Sequence, residues 1–302
     1  MSQLRRDPIT GRWIIVDISD PKGPDAFNLK PQSRKGGTCP FCTGNEKMTP
    51  PEVEAVRKSK TKHDEPGWSV RVVPNKFPAL SIEGNLDKRG IGLYDMTNGV
   101  GAHEVIIETP DHDKDMADLS EAEMRDVIFK YRSRTLELEK DERLKYVLIF
   151  KNHGEAAGAS LEHAHTQLVA LPIVPKRVNE ELSGAANYFG YRERCVFCDM
   201  IAQELQDKIR IVSENADFVA FCPFVPRFAF ETWILPKRHD QNFKSIDDKR
   251  ISSMAAILKD TLARVKKVLK DPAYNFIIHT APVRDGINEE FHWHLEIMPK
   301  LT

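Results

Sequence analysis

The chain of 302 residues is long enough for two ordinary domains or one large one, and its 41% apolar content supplies a full core. Its 44 Lys and Arg nearly equal its 45 Asp and Glu, which excludes the broad basic face that nucleic acid or an acidic membrane would require. The N-terminus lacks the apolar core of a signal peptide, and no apolar run approaches the roughly 20 residues that cross a bilayer, so a soluble cytoplasmic protein is expected.

Asp7-Pro8-Ile9-Thr10-Gly11 is a turn signal, followed by a short apolar strand at Trp13 to Val16 and a Pro/Gly/Lys-rich loop. Trp68 to Val73 alternates as a strand and ends at the turn-prone Pro74-Asn75-Lys76-Phe77-Pro78. His103 to Glu108 is another strand, and Ser120 with Glu123 forms a capping-box start for a long amphipathic helix to about Glu139. Lys145 to Lys151 is a strand that delivers Asn152 and a loop of small residues.

A proline-punctuated connector after Pro172 leads to a helix around Val178 to Tyr188. Strands follow at Phe218 to Cys222 and Glu231 to Leu235. A second long helix runs from Ser245 to about Lys270, then strands at Tyr274 to His279 and Phe291 to Ile297.

The chain repeats itself. Both halves contain, in order, Cys-x-x-Cys, strands, a turn histidine, a long helix, a strand and His-x-His. His112 to His163 spans 51 positions and His239 to His292 spans 53. This predicts an internal duplication of one α+β unit with an antiparallel sheet and a packed helix, divided into residues 1–172 and 173–302.

Five cysteines in a chain of this size are not a disulfide framework, and four of them form two Cys-x-x-Cys pairs. Such a pair ligates metal, acts as a dithiol or is simply buried. The redox reading expects the motif to open a helix, whereas Cys39-Pro-Phe-Cys42 runs into polar coil. Two pairs, each followed by a turn histidine and a strand histidine, suit two tetrahedral Cys₂His₂ zinc sites: Cys39, Cys42, His112 and His163, then Cys195, Cys198, His239 and His292. Closed four-ligand sets imply structural ions. In the bland alternative His112 and His239 are ordinary turn histidines.

On a strand, His163, His165 and Gln167 share one face. With His163 spent on metal, His165 is the free imidazole, a nucleophile suited to a phosphorus centre near neutral pH. Gln167 can donate a neutral hydrogen bond to developing phosphoryl charge. The preceding loop, with Gly154, Gly158 and Ser160, can bring backbone amides and a hydroxyl to phosphate oxygens. The copy at His292, His294 and Glu296 follows Arg284 to Glu290, where carboxylates would repel phosphate, so the second half reads as structural.

At these residues the chain resembles the galactose-1-phosphate uridylyltransferase family, the transferase branch of the histidine-triad superfamily. The resemblance runs through Asp7-Pro8, Thr10-Gly11 and Trp13; Cys39, Cys42 and Gly44-Asn45; Asn75, Phe77-Pro78-Ala79; Pro110-Asp111-His112; the stretch from Asn152 and Gly154 to His165 and Gln167; and Phe230-Glu231-Thr232. It implies two tandem histidine-triad-like units and a double displacement in which His165 holds a nucleoside monophosphate between a nucleotide sugar and a sugar phosphate or phosphate. Asn152 and Ser160 match family residues that position phosphates, and Asn75 matches one near the nucleotide. A homodimer is implied in the same way.

The chain departs from the family at Ala164, where a proline is usual, and at Asp20, Lys22 and Gly23, where many members carry nucleotide-gripping arginines. It ends at Thr302, where members usually continue. Leu171 to Pro175, the second Cys-x-x-Cys and Tyr274 to Thr280 are similar to the ADP-glucose phosphorylase relatives, which move AMP. The expected activity is UDP-glucose–hexose-1-phosphate uridylyl transfer. The alternatives are its adenylyl variant, a histidine-triad hydrolase, which Gln167 disfavours, and a non-enzymatic zinc and nucleotide-binding module.

Overall fold

The computed structural model describes residues 2–29, 32, 36–57, 60–284, 286 and 289–301. An N-terminal hairpin, β1 (Ser2–Arg6) and β2 (Trp13–Asp17), precedes the first Cys-x-x-Cys turn. The first half then supplies β3 (Glu54–Arg57), β4 (Trp68–Pro74), a small exposed hairpin β5 (Arg89–Ile91) and β6 (Tyr94–Met96), β7 (Ala102–Ile107), α1 (Glu121–Leu138), β8 (Tyr146–His153) and β9 (His165–Leu171). The second half supplies α2 (Lys176–Arg192), α3 (Val196–Asp207), β10 (Ile211–Glu214), β11 (Phe218–Phe221), β12 (Thr232–Pro236), α4 (Asp248–Val268), β13 (Tyr274–His279) and β14 (His294–Pro299).

Ten strands form one antiparallel sheet in the order β10-β11-β12-β14-β13-β8-β9-β7-β4-β3. Read outward from its centre, each half repeats the other, β8-β9-β7-β4-β3 against β13-β14-β12-β11-β10. The centre is the β8–β13 pairing, where Ile149 lies opposite Ile278. Each of these isoleucines stands 14 positions before the first histidine of its own pair, so equivalent residues meet across the local twofold relation. The expected α+β architecture of two repeated units, antiparallel sheets with packed helices, is present, and the sheets are joined edge to edge.

The helix that follows the third sheet strand of each half packs on one face of this sheet. α1 opens with Ser120, whose side chain accepts from the Glu123 amide while the Glu123 carboxylate accepts from the Ser120 amide. α4 starts at Asp247, which accepts from the Arg250 amide. Their apolar faces, including Val127, Ile128, Ile257 and Leu258, close a single core over Ile149, Leu168, Phe276, Ile278 and Leu295.

The opposite face is treated unequally. Over the second half, α3 places Phe197 against Phe291 and the sheet residues Val219, Phe221 and Trp233. Over the first half only a small cluster of Cys39, Phe41, Trp68, Val73, Val105 and Ile107 forms, and the strand ends beside it stay open. Sequence periodicity missed α3, because Cys195 is its N-cap and the Cys pair hides the start of an amphipathic run. It also missed the short edge strands β3 and β10, where polar residues interrupt the alternation.

The shared sheet makes the two halves one cooperative body. Phe276 is fully buried on β13 at the junction, so Phe276→Ala should lower stability by about 3–5 kcal/mol. Calorimetry should show one transition moved to lower temperature rather than one of two transitions moved alone.

Candidate functional site

Two Cys-x-x-Cys turns and two histidine pairs are brought together as the spacing predicted. Cys39, Cys42, His112 and His163 present one ligand atom each, all within 4.8 Å of one another, and Cys195, Cys198, His239 and His292 do the same. In the first group His163 Nδ1 lies 3.6 Å from Cys39 Sγ and 3.7 Å from Cys42 Sγ, and His112 Nδ1 lies 3.4 Å from Cys42 Sγ. In the second, Cys198 Sγ is 3.4 Å from His239 Nδ1 and 3.5 Å from His292 Nδ1. Either group could hold a metal ion.

The histidine tautomers are set from behind. His163 Nε2 donates to the Thr109 carbonyl at 2.7 Å and His292 Nε2 to the Pro236 carbonyl at 2.9 Å, which turns each Nδ1 lone pair toward the thiols. The second Cys pair opens α3, unlike the first, yet antiparallel strands follow it and no βαβ unit is formed.

β9 begins at His165, so His163 sits in the bend before the strand while His165 and Gln167 point from the strand into a cleft of about 530 Å³. Ser160, Leu161, Asn75, Phe41 and Val73 also line that cleft. His165 Nδ1 donates to the His163 carbonyl at 2.7 Å, leaving Nε2 as the ring nitrogen for the cleft. Burial, followed by the nearby Lys151 ammonium, pushes the His165 imidazole down to about 4, so it is neutral at physiological pH. Phe41, inside the first Cys pair, meets the His165 ring edge-on with centroids 5.3 Å apart. The thiol loop thus packs directly against the candidate nucleophile.

The small-residue loop is arranged differently from the expected amide cradle. Gly154 and Gly158 have φ of +80° and +87°, which require glycine, and they bracket a single helical turn from Glu155 to Ala157. The amides of Ala157, Gly158 and Ala159 bond to carbonyls inside this turn. Ser160 reaches the cleft, whereas Asn152, Gly154 and Gly158 lie outside its lining. The Asn152 side-chain oxygen Oδ1 accepts from Asn275 Nδ2 across the β8–β13 junction, and the same Nδ2 donates to the Ala157 main-chain carbonyl, so the second half braces the loop of the first.

His103, read from sequence only as a strand residue, stands between Asn75 and Gln167. Its Nδ1 accepts from the Ala79 amide at 3.3 Å, and its Nε2 donates to Gln167 Oε1 at 2.8 Å, which leaves the Gln167 NH₂ group for the cleft. It lies two residues before Val105, which pairs with Gln167, a register that no signal in the sequence gives.

The second histidine pair copies the backbone device and loses the cleft. His294 Nδ1 donates to the His292 carbonyl at 3.0 Å, but the ring is stacked between Trp233 and His279 and is fully buried. Glu296, at the position matching Gln167, joins a buried ion cluster. Glu181 pairs with Arg177 and His279, Glu296 with His279 and Arg227, and Glu231 with Arg227. Glu181, His279, His294 and Glu296 also form a group that could hold a metal ion. Three carboxylates face three protein cations once His279 is protonated. The carboxylates expected to repel phosphate there fall partly on Asp285, which lies outside the described residues together with Ile287 and Asn288.

With this geometry in place, comparison with known proteins is decisive. Residues 1–175 match the family model for the galactose-1-phosphate uridyl transferase N-terminal domain, and residues 181–301 match that for its C-terminal domain. The chain belongs to the galactose-1-phosphate uridylyltransferase family. It is an enzyme of the transferase type. Among family relatives, an ADP-glucose phosphorylase from Arabidopsis thaliana is 36% identical over 99% of this chain and 85% of its own length. A galactose-1-phosphate uridylyltransferase from Thermotoga maritima is 26% identical over 99% and 87%. The crystal structure of an Arabidopsis thaliana ADP-glucose phosphorylase with bound ADP-glucose superposes with a TM-score of 0.82 at 33% identity, covering all of this chain and 90% of that one. A uridylyltransferase structure superposes at 0.76 with 28% identity, covering 100% and 89%. No helix among the described residues is long and apolar enough to cross a membrane.

The ion cluster of the second half gives a pH dependence with a definite sign. Burial opposes the His279 charge, but Glu181 on α2 and Glu296 on β14 push its pKa up to about 10. Arg177, Arg227, Glu231, His294 and Tyr146 complete the charged and titratable surroundings. A raised folded pKa means that the contribution is complete below the unfolded value of about 6.5 and is lost as pH climbs toward 10. The unfolding midpoint should therefore fall across that range, and His279→Gln should flatten the slope while lowering the midpoint at pH 6.

Proposed function

We propose that the protein transfers a nucleoside monophosphate from a nucleotide sugar to a sugar phosphate or phosphate through a covalent adduct on His165 Nε2. The observation that carries this reading is the His165 tautomer at the wall of an open cleft. With Nδ1 donating to the His163 carbonyl, a neutral imidazole presents its Nε2 lone pair to the cleft. Attack on the α-phosphorus forms a P–N bond and breaks the bond to the departing sugar phosphate, which leaves carrying the electron pair. As the ring becomes cationic, the His163 carbonyl dipole strengthens its hold on the Nδ1 proton.

The Ser160 hydroxyl and the Gln167 amide hydrogens offer donors for the phosphoryl oxygens, and Asn75 and Lys76 line the same cleft. A phosphate leaving group needs little protonation, so an amide at 167 suffices where a third histidine would otherwise serve as acid. Phe41, Met48, Val73 and Leu161 give the cleft an apolar wall for the base.

The Cys₂His₂ groups fit structural zinc. Bonds of about 2.3 Å to sulfur and about 2.0–2.1 Å to nitrogen at tetrahedral angles place S and N about 3.6 Å apart, as observed at 3.4 to 3.7 Å. Zinc in the first group would supply a rigid cross-link with no open position. Cys39 and Cys42 then hold Phe41 on His165, and His163 keeps its carbonyl under Nδ1. All five thiols are free of disulfides, which leaves the four in the two groups available as ligands.

Family membership supports uridylyl transfer between UDP-glucose and hexose 1-phosphate. A specific observation favours the adenylyl variant: identity is 36% to the ADP-glucose phosphorylase and 26% to the Thermotoga maritima uridylyltransferase. Intact-mass measurement after incubation with UDP-glucose or ADP-glucose separates them, since a UMP adduct marks the first and an AMP adduct the second. No adduct with either would remove the covalent mechanism. His165→Gly should abolish the adduct and keep its zinc, whereas Cys39→Ser should release the zinc of the first group and slow labelling. Equal zinc loss in both variants would overturn the division of roles between His163 and His165.

A further inference from the structure

On the face of β9 turned away from the cleft, four side chains that the transfer chemistry never touches form a sealed polar chain. Lys151 Nζ donates to Glu108 Oε2 at 2.8 Å, with both side chains at most 1% exposed. The same ammonium donates to the main-chain carbonyl of His165 at 2.9 Å. Glu108 Oε1 accepts from the Thr166 hydroxyl at 2.5 Å, and Thr166 Oγ1 lies 2.7 Å from Tyr131 Oη on α1. A buried ion pair adds little stability over apolar residues of the same volume, because desolvation offsets the attraction. What the pair holds is therefore informative.

It holds the start of β9 at the point where its neighbour departs. β8 pairs with β9 from Tyr146↔Leu171 to Phe150↔Gln167, a register that would next set Asn152 opposite His165. The pairing ends at Phe150, and β8 continues against β13, with Asn152 opposite Asn275 and His153 opposite Tyr274. The Ala164 carbonyl bonds to the Glu108 amide on β7, so by alternation the His165 carbonyl points toward β8, where the register has run out. Lys151 Nζ supplies the donor for that carbonyl. Glu108, through Thr166, fixes the next side chain on the opposite face. With the carbonyl at 165 and the side chain at 166 both held, the direction in which the His165 ring leaves the sheet is set.

We propose that the Lys151–Glu108 ion pair is a positioning device for His165, replacing a missing strand contact so that the imidazole meets phosphorus in line. The proposal rests on His165 being the nucleophile. Lys151 holds the backbone carbonyl at 165 and Glu108 the side chain at 166, while their charges act on the imidazole in opposite senses, so they are positioning residues whose joint loss reduces the rate of nucleotidyl transfer and spares substrate affinity.

The test compares wild type with two variants. Lys151→Met combined with Glu108→Gln removes both charges together and avoids stranding one of them. Thr166→Val removes no charge, and it decides the matter if the double variant does not fold. Adduct formation is followed by rapid quench and intact mass over a series of nucleotide-sugar concentrations, beside zinc content and unfolding midpoint. The maximal rate should fall on the order of 100-fold in the double variant and about 10-fold in Thr166→Val, while the half-saturating concentration moves less than about threefold. A wild type that takes up neither AMP nor UMP removes the nucleophile, and the positioning proposal with it. A labelled wild type beside variants of equal rate, or variants that lose rate, affinity and unfolding midpoint in parallel, overturns the positioning proposal alone.

Discussion

The antiparallel pairing of β8 with β13 is the contact on which the rest of the structure depends. It merges two repeated five-strand units into one sheet and puts equivalent isoleucines, Ile149 and Ile278, opposite each other. Without it each unit would end in an exposed edge strand whose apolar residues require a partner. It also redirects β8 away from β9 just beyond Phe150. That divergence frees the segment from Gly154 to Ser160 to fold as a loop, with Asn275 of the second unit bonded both to Asn152 and to the Ala157 carbonyl. The junction is thus a folding contact and a support for the site.

The candidate metal ligands and the proposed nucleophile are connected by very few atoms. His163 offers Nδ1 to the thiols, and its carbonyl accepts from His165 Nδ1. The Cys39–Cys42 turn carries Phe41 against the same imidazole. A closed ion in that group would therefore act on the reaction through shape, by fixing the neighbours of a ring it never touches. The cleft side adds a second chain of orientation, Ala79 to His103 to Gln167, that turns one amide.

Much of this was legible in the chain because strong local signals agreed with tertiary structure. The capping box at Ser120, the strand from Tyr274 to His279 and the two Cys-x-x-Cys motifs with spaced histidines each specify a local geometry that packing then uses. Legibility failed where the meaning of a residue depends on a distant partner. His103 acquires its role from Gln167, 64 positions away, and Lys151 from Glu108, 43 away. The shape of the small-residue loop was not legible because glycines that permit close approach also permit a compact turn, and here the amides of Ala157, Gly158 and Ala159 bond to carbonyls of Gly154 and Glu155. α3 was hidden because a cysteine pair is not a periodic signal.

The two histidine pairs show what distinguishes a chemical site from its copy when the backbone is the same. His165 and His294 both donate Nδ1 to the carbonyl two residues earlier, so tautomer control belongs to the repeat itself and does not separate them. The difference lies in what covers the sheet. Over His294, α3 supplies Phe197, and Trp233 and His279 stack on the ring, which excludes water and substrate alike. Glu296 in place of an amide then needs neutralising in that dry interior, and Arg227 and His279 provide the charge. Over His165 a metal-capable loop takes the place of the helix, leaving the ring 7% exposed at the wall of a cleft beside a neutral amide. An uncovered sheet face and an uncharged residue at 167 are the two local differences between the half proposed to act on phosphorus and the half that carries a sealed ion cluster.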